Sequence, residues 1–339
     1  MMKIAMLSPV AWRTPPRHYG PWEQIASNIT EGLVEKGFAV TLFATQDSVT
    51  AGKLDAVIPV GYEEDKNQDA KVNECLHISN LMEKAYQFDI IHNNFDFLPL
   101  SYSGLIKTPM ITTIHGFSSP RIIPVYKKYN GGNNYYVSIS NADRSPVLKY
   151  TATVYNGIDS TSLVLNAKPE EYLLYFGRIH PDKGTYEAIE IAKKAQRQLI
   201  ICGIIQDQQY FKEKVEPWIN DDDIIYMGVA DPPMRNKILG NAFALLHPIH
   251  FKEPFGLSVA ESMFCGTPVI AFNKGAMPEL IIHEKTGFLV NTTDEAVKAA
   301  DALKQIDRCF CRTWAEKNFS REKMVADYME LYKKILNHV

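Results

Sequence analysis

The chain has 339 residues, of which 46% are hydrophobic and 22% charged, and its formal net charge at pH 7 is -3. This composition is that of a globular protein, and the small net charge argues against nucleic acid as a partner. No apolar run reaches the roughly 18 residues of a membrane span, and the start MMKIAMLSPVAW is too short in its apolar part for a signal peptide. The five cysteines show no disulfide-framework spacing. We therefore expect a cytoplasmic protein of two domains with at most peripheral membrane contact.

Short apolar runs alternate with longer amphipathic stretches in the first half of the chain. The runs predict strands over residues 3–8, 40–44, 89–92, 110–114, 135–139 and 152–155. Helical spacing predicts helices over 22–36 and 78–86, and Gly37 closes the first of them. This alternation is typical of a parallel sheet with helices on both faces.

The same alternation restarts after a polar segment without clear periodicity, residues 160–169, which we interpret as a linker. Strands are predicted over 172–176, 198–202, 224–227, 242–246 and 268–272, and helices over 185–194, 256–264 and 321–336. We therefore predict an amino-terminal domain over 1–165, a second domain over 166–318 and a carboxyl-terminal helical segment over 319–339.

The stretch KEPFGLSVAESMFCGTPVIAF, residues 252–272, carries two glutamates eight positions apart, Glu253 and Glu261. Residues 253–256 form the loop between a strand end and a helix start, where ligands of open α/β sheets bind. A helix start presents free backbone N–H groups, which suit an anion or sugar hydroxyls. Two carboxylates here can hold the hydroxyls of a ribose and a hexose. The alternative is that both glutamates are solvated surface charges.

A second strand end carries two cations. The stretch GRIHPDKG, residues 177–184, lies between a predicted strand and a helix and contains Arg178 and Lys183. Two positive groups near a helix start are what a diphosphate needs, although cations also occur on loops that bind nothing.

In combination these motifs resemble the family 4 glycosyltransferases, which are retaining nucleotide-sugar enzymes of the GT-B fold. The matching motifs are GR (177–178), KG (183–184), EPFGL (253–257), CGTPVI (265–270), PEL (278–280), TGFLV (286–290), TIHG (113–116), VSIS (137–140) and NGID (156–159). The resemblance implies an α/β fold of two Rossmann-like doubly wound parallel-sheet domains that face each other across a cleft. It also implies that the last helix crosses back to the first domain.

The resemblance implies four catalytic residues. Arg178 and Lys183 would neutralise the donor diphosphate, and Glu253 would hold the transferred sugar. His115, at the end of a strand in the first domain, would face the donor sugar. The alternative for His115 is a core or capping histidine.

Further donor-binding positions follow from the same resemblance. Glu261 would bind the ribose hydroxyls, and the base would lie near Val229. A glycine loop after the first strand would bring Gly20 close to the diphosphate, although Pro21 stands where the family often has a second glycine. The backbone at the start of the helix would also contact the sugar, at Phe255, Gly256 and Leu257.

Acceptor contacts are expected at Tyr19, Trp22 and Glu23, beside this glycine loop. Glu23 lies in the first turn of a helix, so it either meets the acceptor or favours the helix dipole. Trp22 is either a platform on which a sugar stacks or a part of the core.

The expected function is transfer of a hexose from a UDP- or GDP-sugar to a hydroxyl of a sugar, a lipid-linked glycan or a small molecule, with retained configuration. No cofactor or metal is expected, because no Asp-x-Asp motif stands at a strand end and the fixed cations would replace the metal. The alternatives are a GT-B epimerase or phosphorylase and a non-catalytic nucleotide-sugar-binding subunit. A Rossmann oxidoreductase is excluded, because the first strand is not followed by G-x-G-x-x-G.

Overall fold

The computed structural model describes residues 1–117 and 119–337, which form two compact units. Unit 1 comprises residues 1–157 together with the residues from 321 onward, and unit 2 comprises residues 158–320. The chain therefore returns to unit 1 for its last helix. The last two residues of the helical segment predicted over 319–339 lie outside the described residues.

In the described part of unit 1, seven strands form one parallel sheet. They are β1 (Lys3–Leu7), β2 (Ala39–Thr45), β3 (Lys53–Ile58), β4 (Ile90–Asn93), β5 (Met110–Ile114), β6 (Asn134–Ser138) and β7 (Ala152–Thr153). Their spatial order is β3-β2-β1-β4-β5-β6-β7. The sequence prediction missed β3, because this edge strand carries Lys53 and Asp55 and is only partly buried.

The first three helices also belong to unit 1. They are α1 (Pro21–Glu35), α2 (Ala70–Met82) and α3 (Ile123–Lys128). The helix predicted over 78–86 was placed too late. Asp69 caps α2 by accepting a hydrogen bond from the Val72 N–H at 3.1 Å, whereas Val72 and Leu76 are exposed and obscure the apolar periodicity of the first turns.

Unit 2 contains a second parallel sheet, with six strands among the described residues. They are β8 (Leu173–Phe176), β9 (Leu199–Cys202), β10 (Ile224–Tyr226), β11 (Ala244–His247), β12 (Val269–Phe272) and β13 (Gly287–Val290). Their order is β10-β9-β8-β11-β12-β13, so the winding direction reverses between the neighbours β8 and β11. In an open α/β sheet, the crevice outside the strand ends at such a switch point is where ligands bind.

Helices connect the strands of unit 2. They are α4 (Thr185–Lys194), α5 (Gln208–Tyr210), α6 (Pro232–Asn241), α7 (Leu257–Phe264), α8 (Met277–Leu280), α9 (Thr293–Ala302) and α10 (Arg308–Phe319). The inner strands β8, β11 and β12 are apolar and buried along nearly their whole length, as expected when helices cover both faces of a parallel sheet. The prediction of two parallel α/β sheets is therefore confirmed.

The last helix, α11 (Arg321–Leu336), completes the core of unit 1. Its buried side chains are Met324, Val325, Tyr328, Leu331, Tyr332 and Ile335. It packs closely on α1, since a Cβ added to Gly32 would lie 2.5 Å from the Val325 Cγ2. Glycine at position 32 is therefore what lets the two helices approach.

A buried polar network also ties α11 to the sheet. The His92 Nδ1 lies 2.6 Å from the Tyr332 hydroxyl, and its Nε2 lies 2.7 Å from the Thr113 hydroxyl. The Thr113 hydroxyl in turn lies 2.7 Å from that of Tyr328. Burial lowers the pKa of His92 to about 3, so this ring is neutral at physiological pH.

Candidate active site

Two loops of unit 2 meet at the switch point between β8 and β11. The loop after β8 contains residues 177–184, and the loop after β11 contains residues 248–256. They are packed backbone to backbone, because the His250 N–H donates to the Asp182 carbonyl at 2.8 Å. Gly184 has a φ of 71°, and a Cβ there would lie 1.9 Å from the Pro248 carbonyl oxygen. Only glycine fits this crossing, so the KG motif is a consequence of backbone packing.

Lys183 and Glu253, from these two loops, form a direct ion pair. The Lys183 Nζ lies 2.5 Å from the Glu253 Oε2, and the two side chains are only 14% and 12% exposed. The same Nζ lies 4.5 Å above the centre of the Phe251 ring. The Glu253 backbone is fixed as well, since its carbonyl accepts from the Ala276 N–H at 2.9 Å. Glu253 is therefore not the solvated surface charge of the alternative interpretation.

A third ionisable group lies next to this pair. His247, the last residue of β11, is buried, and its Nε2 lies 3.6 Å from the Glu253 Oε2. Burial alone would raise the pKa of Glu253, but the nearby His247 ring and the Lys183 ammonium lower it to about 2. We attribute the lowering mainly to Lys183, because 3.6 Å is too long for a hydrogen bond from His247. Glu253 is thus an anion at physiological pH.

Glu261 lies on α7 and is also buried, with its side chain 11% exposed. Its Oε1 lies 3.3 Å from the Nη2 of Arg235 on α6, which is 33% exposed. Burial raises the pKa of Glu261, and the charge of Arg235 opposes that rise. The interpretation of Glu261 as a solvated helix residue is therefore wrong.

Arg178 follows β8 but does not join the Lys183–Glu253 pair. Its guanidinium donates to the side-chain oxygen of Gln206, in the loop after β9. Val229 follows β10 and is 49% exposed. The loops after these strands are linked through their backbones, since the Gly203 N–H donates to the Gly228 carbonyl at 2.8 Å. Arg178 and Val229 therefore lie on the same edge of the sheet as Lys183.

The start of α7 presents a glycine and two apolar side chains. Gly256, immediately before the helix, has a φ of 101°, and a Cβ there would lie 2.7 Å from the Met277 Cε. The Phe255 ring is buried and packs edge-on against Phe319 at 5.8 Å. Leu257 is the first residue of the helix. The N–H groups of Val259 and Ala260 donate to the Gly256 carbonyl, whereas those of Leu257 and Ser258 come too early in the helix to reach an acceptor within it.

In unit 1, His115 follows β5 at the carboxyl edge of the sheet. Its Nε2 lies 2.9 Å from the Asn94 Oδ1, and its ring stacks on the indole of Trp22 with centroids 5.6 Å apart. Burial lowers the pKa of His115 to about 3, so the ring is neutral. One face of Trp22 is therefore covered by His115.

Gly20 precedes α1 with a φ of 152°, and Glu23 lies in the first turn of that helix. A Cβ on Gly20 would lie 3.1 Å from the Glu23 Oε2. The Glu23 Oε1 accepts from the Trp12 backbone N–H at 3.3 Å, and Tyr19 packs edge-on against the Trp12 ring at 6.1 Å. Burial raises the pKa of Glu23 to about 7. Trp12 thus contacts both Tyr19 and the buried carboxyl group of Glu23.

Sequence reasoning missed four residues of these clusters, namely His247, Arg235, Gln206 and Asn94. A signal existed for His247, because a histidine that ends an apolar strand is unusual in ALLHP. Arg235 and Gln206 gave none, since isolated polar residues on a helix or loop are ordinary. Among the residues that the structure describes, no group of three or more His, Cys, Asp or Glu side chains could hold a metal ion. No helix within residues 1–117 and 119–337 has the length and apolarity to cross a membrane.

Two parallel-sheet α/β units with this strand order define the class of the protein, the GT-B fold, and solved structures agree. AviGT4, a glycosyltransferase involved in avilamycin A biosynthesis, has a TM-score of 0.76 at 22% identity, with 100% of this chain and 99% of that chain covered. Anabaena HepE, solved in complex with UDP and glucose, has a TM-score of 0.74 at 18% identity, with 98% and 100% covered.

Sequence comparisons agree with the class that the fold defines. Residues 163–314 match the family model described as Glycosyl transferases group 1. An uncharacterized glycosyltransferase of Methanocaldococcus jannaschii is 21% identical over 341 residues, covering 85% of each chain. The glycogen synthase of Mycobacterium tuberculosis is 29% identical over 172 residues, covering 48% of this chain and 41% of that protein. Residues 163–314 therefore resemble the glycosyl transferases group 1 family, and the protein is a glycosyltransferase.

Proposed function

We propose that this glycosyltransferase moves a hexose from a UDP- or GDP-sugar to a hydroxyl acceptor, with retention of configuration and without a metal ion. The observation that carries the proposal is the buried contact of Lys183 with Glu253 at the switch point of unit 2. A sugar–diphosphate needs a cation for its phosphates and an acceptor for its sugar hydroxyls. The Lys183 ammonium is such a cation and the Glu253 carboxylate such an acceptor, and their Nζ and Oε2 atoms lie 2.5 Å apart.

Lys183 and Arg178 are the proposed diphosphate ligands. Breaking the bond between sugar and phosphate develops negative charge on the leaving diphosphate, which fixed cations stabilise at no reorganisation cost. The N–H groups at the start of α7 add a second source of positive potential. We therefore propose that these groups do what a metal ion does in metal-dependent transferases.

Glu253 and Glu261 are the proposed ligands of the hexose and the ribose. The low pKa of Glu253, about 2, keeps it an anion that accepts hydrogen bonds from vicinal hydroxyls. Arg235 helps to keep the buried Glu261 ionised for the same task. Gly256 and the backbone of Phe255 and Leu257 would line the sugar, and Val229 the base.

His115 is proposed to contact the donor sugar as a neutral ring, because burial disfavours its imidazolium form. Its hydrogen bond with Asn94 and its stacking on Trp22 fix the orientation of the ring. For the transfer itself we propose front-face attack, in which the leaving phosphate accepts the proton of the acceptor hydroxyl. This step follows the family resemblance and places no general base on the protein.

The acceptor is proposed to contact Tyr19, Trp22 and Glu23, with Gly20 close to the diphosphate. A carboxyl group that is buried and whose pKa is about 7 suits a neutral hydroxyl compound better than an anionic one. A free sugar, a lipid-linked glycan and a small metabolite all meet that requirement. We place this chemistry in the cytoplasm, with at most peripheral contact to a membrane.

The first test is a thermal-shift panel with UDP, GDP, ADP and their sugar conjugates in the presence of EDTA. A ligand at 100 times its dissociation constant should add about 2.7 kcal/mol of stability. UDP-sugars come first, because a neighbouring structure, HepE, was solved with UDP and glucose. We expect one base to stabilise the wild type and to lose its effect in Arg178→Ala.

The matched control for this panel is Lys194→Ala. Lys194 is an exposed cation of α4 that pairs with Asp294, away from the Lys183–Glu253 contact. It should respond to nucleotides as the wild type does. Stabilisation only after a divalent metal is added would overturn the metal independence. No stabilisation by any nucleotide would overturn the donor assignment.

A further inference from the structure

His247 has a buried nitrogen that no hydrogen bond satisfies. Its side chain is 8% exposed, and the Nε2 has no hydrogen-bond partner among the described residues. The nitrogen is aimed at the Glu253 Oε2, 3.6 Å away, which is the same oxygen that Lys183 contacts at 2.5 Å. A closer approach of about 0.5–1 Å would make this contact a hydrogen bond.

The position matters once Lys183 has another partner. If the Lys183 ammonium moves onto a diphosphate, Glu253 loses its cation while its side chain stays 12% exposed. A buried carboxylate without a partner is strongly disfavoured, and it takes up a proton or finds a new donor. Sugar hydroxyls supply donors but no positive charge.

We propose that His247 is a positioning residue for Glu253. When the Lys183 ammonium leaves the Glu253 carboxylate to bind the donor diphosphate, the His247 N–H becomes the hydrogen-bond donor to that carboxylate. This inference rests on the proposed function, which gives Lys183 its diphosphate. In the free protein, Lys183 holds the Oε2 of Glu253, and His247 waits without a hydrogen bond. With donor bound, the His247 N–H donates to Oε2, and Oε1 is left for the sugar hydroxyls.

The ionisable groups that act on the His247 ring are Glu253, from the loop after β11, and Lys183, from the loop after β8. Burial lowers the pKa of His247, Glu253 raises it, and Lys183 lowers it. Departure of Lys183 therefore removes a group that lowers the pKa and leaves one that raises it. This change of partner at Glu253 therefore predicts a rise in the pKa of His247.

The first experiment replaces the departure of Lys183 by a mutation. The protein is labelled with 13C at the Cε1 of its nine histidines, and the His247 signal is assigned by its loss in His247→Gln. We expect the pKa of His247 in Lys183→Met to lie about one unit or more above the wild-type value, as for a histidine beside a single carboxylate. An unchanged pKa would overturn the proposal.

A double variant separates the Glu253 contact from the simple loss of a positive charge. In Glu253→Gln, the further change Lys183→Met should raise the pKa of His247 by much less than it does in the wild type. An equal rise in both backgrounds would show that His247 senses only the missing lysine. That result would overturn the proposed hydrogen bond from His247 to Glu253.

The third arm adds the nucleoside diphosphate that stabilises the wild type in the thermal-shift panel. It should move the His247 signal in the same direction as Lys183→Met does. Binding without this movement contradicts the His247 proposal and leaves the donor site intact. If no nucleotide binds, the proposed function fails. The Lys183→Met titration still decides whether His247 donates a hydrogen bond to Glu253 when the lysine is absent.

A fourth experiment compares the kcat/KM of two His247 variants, one without a hydrogen-bond donor and one that keeps it. His247→Leu should lower kcat/KM for the donor about tenfold, the size expected when a hydrogen bond to a charged group is lost. His247→Gln keeps an N–H donor within reach and should recover most of that loss. Equal activities of the two variants would contradict the proposal, and their melting curves show whether both are folded.

Discussion

The carboxyl edges of the two sheets carry different kinds of polar group. In unit 2 two buried carboxylates are paired with cations, Glu253 with Lys183 at 2.5 Å and Glu261 with the partly exposed Arg235 at 3.3 Å. The first pair joins two loops, and the second joins α6 to α7. Such an edge would suit a ligand that is itself charged, because a phosphate could replace the carboxylate beside a cation.

In unit 1, burial at the corresponding edge favours the neutral forms of two predicted site residues. Burial lowers the pKa of His115 to about 3 and raises that of Glu23 to about 7. The contacts there are ring stacking and hydrogen bonds, as between His115, Trp22 and Asn94. Two sheets of the same architecture thus differ in the charge of the groups at their strand ends, and we expect them to bind chemically different parts of the substrates.

The largest expected effect is that of Lys183→Ala in unit 2. We predict a loss in kcat of about 10²–10³-fold, the size of a lost electrostatic stabiliser of developing charge. Steady-state kinetics with the donor identified by thermal shift would measure it. The control Lys194→Ala, which removes an exposed cation from the last turn of α4, should stay near the wild type. A Lys183→Ala enzyme of normal rate would remove the charged edge from the mechanism.

Glu261→Gln should act on binding more than on turnover. We predict that nucleoside diphosphate affinity falls about tenfold to a hundredfold, since hydrogen bonds to charged groups contribute about 1.5–3 kcal/mol. Titration calorimetry would measure it. Glu187→Gln is the matched control, because Glu187 pairs with His250 at 2.7 Å on the same edge and has no assigned role. Equal affinities in the two variants would argue against the ribose role.

Glu23→Gln tests, through the pH dependence of stability, whether burial favours the neutral form of Glu23. A carboxyl group whose pKa is raised from 4.5 to about 7 on folding stabilises the fold at low pH, and this contribution is lost as pH rises from about 4.5 to 7. Glutamine imitates the protonated form. At pH 8 the variant should therefore be more stable than the wild type, by about 1–3 kcal/mol, and at pH 4 the difference should vanish.

Melting temperatures of both proteins between pH 4 and 8 would check this prediction. Identical pH profiles would show that Glu23 titrates normally and that burial does not favour its neutral form.

The smallest effect is expected from Tyr332→Phe, which removes one hydroxyl from the network of His92. We predict a loss of about 1 kcal/mol, the usual net contribution of a hydrogen bond. Hydrogen exchange of the β4 amides would report it locally. Tyr86→Phe serves as control, because Tyr86 is 81% exposed. If both changes were equally silent, the network would matter little for stability.

The strands could be predicted well because buried parallel strands are continuous apolar runs. Residues 110–114 and 185–194 were predicted with the bounds that β5 and α4 have. The edge strand β3 and the start of α2 could not be predicted, because their stability comes from neighbours and from the Asp69 cap rather than from periodicity. Buried strands could be predicted because burial leaves an apolar pattern in the sequence. Elements held by contacts at the edge of a sheet leave no such pattern.

For the candidate site, the sequence indicated which loops matter but not which atoms pair. Two strand-end motifs predicted that Lys183 and Glu253 share one edge, and the structure brings them into contact. The partners of Glu261 and Arg178 could not be predicted, because Arg235 and Gln206 lie on other elements whose spacing in sequence varies freely. The roles of all these residues stay predictions until the variants are measured.

The place of α11 in unit 1 has a consequence for synthesis on the ribosome. The helix completes the core against Gly32 and the His92 network, yet it is encoded after all of residues 158–320. At translation rates of about 5–20 residues per second, unit 1 waits roughly 10–30 s for its last core element. During that interval the nascent first sheet exposes the apolar surface that α11 later covers. Unit 2, contiguous in the chain, can fold first although it is made second.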